Sequence, residues 1–289
     1  MIRPRRSALY MPGSNARALE KARSLAADAV IFDLEDAVAP DAKVLAREQV
    51  CAAVRAGGYG PREVVIRVNG LATEWGRDDI KAAAAARPDA VLIPKVSNAV
   101  QVAEADQVLN AHGATSTRLW AMMETPLAML QAAEIASAAR TTGLSVFVMG
   151  TNDLAKETRA RLLPGRAAML PWLMTCVAAA RAYGIEILDG VWNNFADEVG
   201  FRAECEQGRD LGMDGKTLIH PNQLAVCNEI FAPGEAEVAW ARKVVEAFDV
   251  PENANKGALQ LDGKMVERLH ADMARHTLRV ADAIAARAV

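Results

Sequence analysis

Eight short apolar runs, each stopped by polar residues and separated by alanine-rich segments, constrain this chain more than any other feature. The runs cover residues 7–10, 29–32, 64–68, 90–93, 119–123, 146–149, 185–188 and 217–219. Most are continuous rather than alternating, the pattern of strands buried on both faces. The segments 15–27, 39–56, 75–86, 99–111, 126–141, 171–183 and 197–211 carry helical periodicity. Strand thus alternates with helix up to about residue 220. Eight such rounds predict an α/β fold, a (β/α)8 TIM barrel rather than an open sheet. No internal sequence repeat accompanies the rhythm, so a solenoid is excluded.

A barrel of this kind builds its site from the residues that follow each strand. Those residues form a coherent polar set. Run two ends in Asp33-Leu34-Glu35-Asp36, three acids in four positions. Arg67 and Asn69 lie two apart in run three and so face the same way. Lys95 follows run four, Glu124 run five, Gly150-Thr151-Asn152-Asp153 run six and Asp189 run seven, while Lys216 and His220 bracket run eight. Carboxylates sharing one cavity repel unless a proton or a cation lies between them. Glu124 with Asp153 suits magnesium, a hard cation that keeps several waters. Such a metal can chelate a 2-oxo acid and polarise its carbonyl, with Arg67 as a second, bidentate positive group. The backbone amides of Gly150–Asp153, opening a helix, suit a substrate carboxylate. Structural readings stand beside these. Thr125-Pro126 is a good helix start, Asn152 or Asp153 can be a cap, Arg67 can be an ion-pair partner of Glu35, and His220 before Pro221 can be purely structural.

Composition excludes several classes. A formal net charge of −3 and a pI near 5.9 give no reason to expect nucleic acid as a partner. The four cysteines are widely spaced, with no CxxC pair, and read as reduced thiols of a cytoplasmic protein. His112, His220, His270 and His276 lack HxxxH or HExxH spacing, against a zinc site. The basic start Met1–Arg6 is followed by too short an apolar stretch for a signal peptide, and no apolar run is long enough for a membrane span.

Beyond the eighth unit, residues 234–248 read as the barrel's last helix, 250–257 as a loop and 258–261 as a short strand turned by Asp262-Gly263. Residues 264–288 read as one long amphipathic helix. The division expected is a barrel core over residues 1–232 and a C-terminal helical extension over 233–289.

In order along nearly the whole chain, the motifs resemble the citrate lyase β-subunit-like (CitE-like) branch of the HpcH/HpaI aldolases, which includes malyl-CoA and citramalyl-CoA lyases. They are Arg6-Ser7-Ala8-Leu9-Tyr10-Met11-Pro12-Gly13, Asp33-Leu34-Glu35-Asp36-Ala37-Val38, Arg67-Val68-Asn69-Gly70, Pro94-Lys95, Glu124-Thr125, Asn152-Asp153-Leu154, Asp189-Gly190-Val191, Gly215-Lys216-Thr217-Leu218-Ile219-His220-Pro221 and Asp262-Gly263-Lys264-Met265. The resemblance implies trimers or hexamers built from them. It implies Mg2+ on Glu124 and Asp153, with Glu35 and Asp36 near the metal's water shell and Arg67 on the oxo-acid oxygens. It implies a CoA thioester running over the barrel mouth near Arg6, Lys95, Lys216 and His220. Asp262 would be a general acid/base supplied to the neighbouring subunit's site. Two stretches depart from the pattern, Lys156-Glu157-Thr158-Arg159 and Trp192-Asn193-Asn194-Phe195, and both would line the pocket and bear on the choice of substrate.

The activity so implied is Mg2+-dependent carbon–carbon cleavage of a 3-hydroxyacyl-CoA, such as malyl-CoA or citramalyl-CoA, to acetyl-CoA and a 2-oxo acid. Other readings are a citrate lyase β subunit acting on an acyl-carrier-protein thioester, a CoA-independent 2-oxo-acid aldolase, an enzyme with a thioesterase step, and a catalytically silent paralogue that binds CoA or a 2-oxo acid.

Overall fold

The computed structural model describes residues 2–253 and 255–287. Eight parallel strands close on themselves in sequence order, β1 (Ser7–Pro12), β2 (Ala29–Asp33), β3 (Glu63–Arg67), β4 (Ala90–Ile93), β5 (Arg118–Met123), β6 (Leu144–Met149), β7 (Glu186–Asp189) and β8 (Gly215–Leu218), with β8 pairing back onto β1. The helices between them are α1 (Ala16–Lys21), α2 (Lys43–Ala56), α3 (Gly76–Ala86), α4 (Ala99–Ala111), α5 (Pro126–Leu130), α6 (Ala132–Ser137), α7 (Thr151–Thr158), α8 (Leu170–Tyr183) and α9 (Glu198–Asp210), and α10 (Leu224–Ile230) follows β8. The expected TIM barrel is therefore the fold.

Alternate residues of each strand point inward and fill the barrel in layers. At the amino-terminal end Arg5 donates to Glu63 at 2.6 Å and to Glu186 at 2.7 Å, and its guanidinium lies over Trp120 at 5.6 Å. The middle is apolar, with Ala8, Ala29, Ile31, Val65, Leu92, Trp120, Val146, Val148 and Leu188 in one cluster. Ala8, Ala29 and Ala90 are the small partners that leave room for Trp120, which is fully buried. An aromatic side chain buries roughly 150–250 Å², on the order of several kcal/mol at ~25 cal/mol per Å². The same inward parity, carried one layer further, brings Tyr10, Asp33, Arg67, Met122 and Glu124 to the carboxyl end.

The segment 126–141 is not one helix. It breaks between α5 and α6 at Gln131 and ends in a 3-10 turn. Compact packing divides the chain into Arg5–Asn228 and a second unit of Met1–Pro4 with Glu229–Val289. In the second unit α11 (Glu235–Asp249) packs on α12 (Arg268–Ala285), beside a hairpin of β9 (Ala258–Leu261) and β10 (Lys264–Glu267). Residues 264–267 are thus a strand where a helix was expected. Asp262 and Gly263 have φ of +49° and +77°, which fits the two-residue hairpin turn that their identities favour. Residue 288, the expected helix end, lies outside the described residues. All four cysteines are buried free thiols. No helix among the described residues is long and apolar enough to cross a membrane.

Candidate active site

A cavity of about 300 Å³ opens at the carboxyl end of the barrel. Its wall includes Tyr10, Asp36, Arg67, Met122, Glu124, Gly150, Thr151, Asn152, Asp153, Asn193 and Thr217.

Arg67 is the positive centre. Its Nε and Nη2 donate to the two oxygens of Asp33, each at 2.7 Å, and its guanidinium lies 4.8 Å over the Tyr10 ring. Nη1 donates to Asp36 at 3.1 Å and stands 3.0 Å from Glu35 Oε2. Burial works against the Arg67 charge, but Asp33, Tyr10 and Glu35 outweigh it and hold the guanidinium's pKa well above its usual value. Two of its three nitrogens are thus committed to Asp33, and Nη1 is the one aimed at the acids of the cavity. Arg67 is therefore also the ion-pair partner of Glu35 that the sequence allowed.

The acidic loop after β2 is built to stay in place. Asp33 accepts from the amides of Glu35 at 2.9 Å and Ala37 at 3.0 Å. Lys43 donates to the carbonyls of Leu34 and Glu35, and Asn69 to that of Leu34. Asn69, expected to share a face with Arg67, is thereby spent on the loop and on Asp79.

Glu124 directly follows β5 and precedes α5, whose N-cap Thr125 accepts from the Ala128 amide at 3.0 Å with Pro126 behind it. The helix start is real, and the carboxyl before it is free to serve the cavity. Glu124 is 1% exposed. Its Oε1 accepts from the Lys95 amide at 2.7 Å, while the buried Oε2 has no hydrogen-bond partner among the described residues. Burial pushes the Glu124 carboxyl up to about 8, Glu35 and Asp153 add repulsion, and the Lys95 amide and Arg67 pull the other way. Burial likewise lifts Glu35 to about 7, against Arg67 and Lys95. Asp153 stands in the first turn of α7, and the Lys95 ammonium lies 3.5 Å from it and 3.6 Å from Glu35.

These shifts predict a pH dependence. The folded-state pKa values of Glu35 and Glu124 lie above their unfolded value of 4.5, so the folded state binds more protons in between. Their contribution to stability is complete below about pH 4.5 and is lost as pH rises through about 7 and 8. In EDTA, Glu124→Gln is expected to flatten the fall in urea midpoint between pH 5 and 8.5; an unchanged slope contradicts the assignment.

The donor set fits a hard divalent cation. A buried carboxylate oxygen without a partner, beside two further acids, is short of positive charge. Among the described residues no three His, Cys, Asp or Glu converge as a preformed cage. Two carboxylates completed by waters and substrate oxygens is magnesium's usual mode.

The structure gathers Glu35, Asp36, Arg67, Glu124, Gly150, Thr151, Asn152 and Asp153 as the sequence placed them. Lys95 joins them, but its ammonium turns to the acids. Arg6, Lys216 and His220 are not in the cavity wall. Arg6 precedes β1 and grips Asp28, which precedes β2, through Nε at 2.8 Å and Nη2 at 3.0 Å. It belongs to the amino-terminal rim, opposite the cavity. Lys216 is fully buried. Thr217 lines the cavity, so its neighbour Lys216 faces the helix layer, where it donates to Asp189 at 2.9 Å and Glu204 at 2.7 Å. Arg166 completes that cluster on Asp189. Asp189 is thus a structural acid: burial opposes its charge, yet Lys216 and Arg166 hold its carboxyl below the usual range. His220 is exposed, stacks on Phe195 with ring centres 4.9 Å apart, and caps the turn after Ile219. Asp262 lies in the second unit, paired with Lys243 at 2.8 Å.

Sequence reasoning missed Tyr10, Met122 and Thr217, which follow from inward parity within the strands. Of the two departing stretches expected at the pocket, Trp192–Phe195 brings Asn193 to the cavity wall, where it exchanges amide hydrogen bonds with Asn152 at 2.8 and 3.1 Å, while Lys156–Arg159 is not part of that wall.

Comparison with known proteins adds to this geometry. The family model described as HpcH/HpaI aldolase/citrate lyase matches residues 6–221. A "(3S)-malyl-CoA thioesterase" of Cereibacter sphaeroides (strain ATCC 17025 / ATH 2.4.3) is 54% identical over 98% of this chain and 96% of its own. The "Citrate lyase subunit beta" of Escherichia coli (strain K12) is 36% identical over 97% of this chain and 94% of its own. The crystal structure of protein CitE from Mycobacterium tuberculosis, in complex with magnesium, acetoacetate and coenzyme A, superposes with a TM-score of 0.77 at 30% identity, covering 96% of this chain and 97% of that one.

Proposed function

The chain belongs to the HpcH/HpaI aldolase/citrate lyase family, and from that premise we propose that it is a Mg2+-dependent enzyme that hydrolyses a malyl-CoA-type 3-hydroxyacyl thioester. The observation that carries the metal-dependent reading is Glu124 Oε2, a buried carboxylate oxygen with no hydrogen-bond partner among the described residues, at a cavity that also holds Arg67 and Asp153. The choice of thioester, and of hydrolysis ahead of carbon–carbon cleavage, rests on the 54% identity to the malyl-CoA thioesterase.

Glu124 and Asp153 would hold the cation, which when bound supplies Lewis-acid charge for the substrate's carboxylate and hydroxyl oxygens. Arg67 Nη1 adds positive charge at the same wall. The first-turn N–H groups of α7 have no helical partner, and the N-cap Gly150 brings no side chain to cover them. They orient the substrate carboxylate. Glu35, with its carboxyl lifted to about 7, is poised to accept a proton near neutral pH. It takes that proton from the water whose oxygen attacks the thioester carbonyl; the carbon–sulfur bond then breaks, and the leaving CoA sulfur takes the proton back from Glu35, which regenerates the base. Met122, Met149, Val191 and Ile219 give the cavity its apolar share.

The second reading is carbon–carbon cleavage to acetyl-CoA and glyoxylate. The family match and the likeness to the citrate lyase subunit favour it, and it uses the same grip on the carboxylate and hydroxyl. Asp262 would then serve as the acid/base at a neighbouring subunit's site in a homotrimer or hexamer. Incubation with (3S)-malyl-CoA and Mg2+, with malate, free CoA thiol, acetyl-CoA and glyoxylate all quantified, separates the two. Malate and thiol in equal amounts support hydrolysis. Acetyl-CoA with glyoxylate overturns it in favour of cleavage.

Gly150 gives this reading a local test. A Cβ there would fall on Glu124 Cβ and 2.5 Å from its Oε2, so Gly150→Ala must displace the carboxyl. We expect Mg2+ affinity to drop by roughly 10–100-fold, read by calorimetry; unchanged affinity contradicts Glu124 as a ligand.

A further inference from the structure

Lys95 has an uncommon backbone for a long side chain. It follows β4 with φ of +54°, the left-handed region that favours glycine. Its amide donates to Glu124 Oε1 at 2.7 Å. Its ammonium stands between Asp153 Oδ1 at 3.5 Å and Glu35 Oε1 at 3.6 Å. One residue therefore addresses three carboxyls of the site, one through its backbone and two through its charge. The two kinds of contact differ. The amide bond is short and tied to the chain, whereas the ammonium contacts exceed hydrogen-bond length and the side chain is 43% exposed.

Charge balance gives this arrangement its meaning. Arg67 is largely consumed by Asp33 and shares one nitrogen between Glu35 and Asp36. Among the described residues Lys95 joins Arg67 in ion-pair contact with the Glu35 carboxylate and is the cation in such contact with Asp153, while Lys43 is tied to the Leu34 and Glu35 carbonyls and adds its charge to Glu35 without pairing with its carboxylate.

We infer that Lys95 is a positioning residue that acts as a displaceable internal counter-ion, its ammonium holding Glu35 and Asp153 together until a divalent cation displaces it while its amide keeps Glu124 oriented. The inference rests on the reading of Glu124 and Asp153 as the cation site. It gives Lys95 a task apart from contact with CoA. The ammonium weakens cation binding, because it competes for the same carboxylates and repels a second positive charge. It also spares the metal-free site the repulsion of its acids. The left-handed backbone is what lets one residue aim its amide at β5 and its side chain at α7.

The test is calorimetric titration of the full chain with MgCl2, beside thermal melts in EDTA and in Mg2+. Lys95→Met is expected to bind Mg2+ roughly tenfold more tightly, to melt lower than wild type in EDTA and to gain more from Mg2+. Lys95→Arg, which keeps the charge, is expected to return towards wild type. Lys95→Gly relaxes the backbone and removes the charge, so it should follow Lys95→Met and keeps the test alive if that variant does not fold. Wild-type binding with unchanged or weaker affinity in both uncharged variants overturns the inference alone. Absence of Mg2+ binding to wild type and variants alike overturns the cation site, and the inference with it.

Discussion

Arg67→Met is expected to slow turnover by on the order of 10²–10³-fold and to destabilise the protein in one step. Arg67 is 6% exposed and meets Asp33 through two hydrogen bonds, with Glu35 and Asp36 on its remaining nitrogen. Removing one partner of a buried ion pair costs about 3–5 kcal/mol, because the other charge stays buried and uncompensated. Three acids lose a counter-charge here. Asp33 keeps its two amide hydrogen bonds, which places the effect in the middle of that range rather than above it. In rate, losing one fixed electrostatic donor costs on the order of 10²–10³-fold. Arg67→Lys keeps a charge but not the planar fork, so it should recover part of the stability and little of the rate. Urea denaturation and kcat/KM on the same preparations check both. A variant with wild-type kcat/KM would remove Arg67 from the chemistry and leave it a purely structural residue.

Lys216→Met is the contrasting case, expected to be severe for stability and mild for chemistry. Its ammonium is fully buried between Asp189 and Glu204, with Arg166 as the next cation. Loss of the charge leaves Asp189 with Arg166 alone, at a cost of about 3–5 kcal/mol. Because Lys216 faces the helix layer and its ammonium bonds to Asp189 and Glu204, neither of them in the cavity wall, kcat/KM per folded molecule should fall far less than the roughly 10²–10³-fold expected on losing a fixed electrostatic donor. A fall in kcat/KM comparable to that of Arg67→Met would return Lys216 to the substrate, where its sequence context first placed it.

Those two residues illustrate what the sequence discloses and what it hides. Barrel strands are buried on both faces, so continuous runs such as 29–32 and 146–149 announce themselves and their order follows. The acids after β2, β5 and β6 are equally visible, because polar residues that abruptly end a buried strand need a reason. Facing is less visible. A charged residue within a strand, such as Lys216, looks the same whether it points to the barrel axis or to the helices, and only the phase set by Thr217 decides it. Arg6 reads as part of a motif, but it precedes its strand and so sits at the wrong end of the barrel. Tyr10 and Met122 pass for core because they are apolar or nearly so, although inward parity carries them into the cavity wall. The hairpin strand at 264–267 looks like the start of α12 until Asp262-Gly263 is given the partner strand that such a turn demands.

The proposed metal-dependent site of Glu124, Asp153 and Arg67 for a malyl-CoA-type thioester is tested by consumption of (3S)-malyl-CoA by the full chain in Mg2+ and in EDTA, with wild type and Asp153→Ala side by side. Wild type is expected to turn over in Mg2+, to lose turnover in EDTA and to recover it on adding excess Mg2+, with a rate at least roughly 10²-fold lower for Asp153→Ala. Turnover that is undiminished in EDTA, or the same in Asp153→Ala as in wild type, would contradict the proposed site.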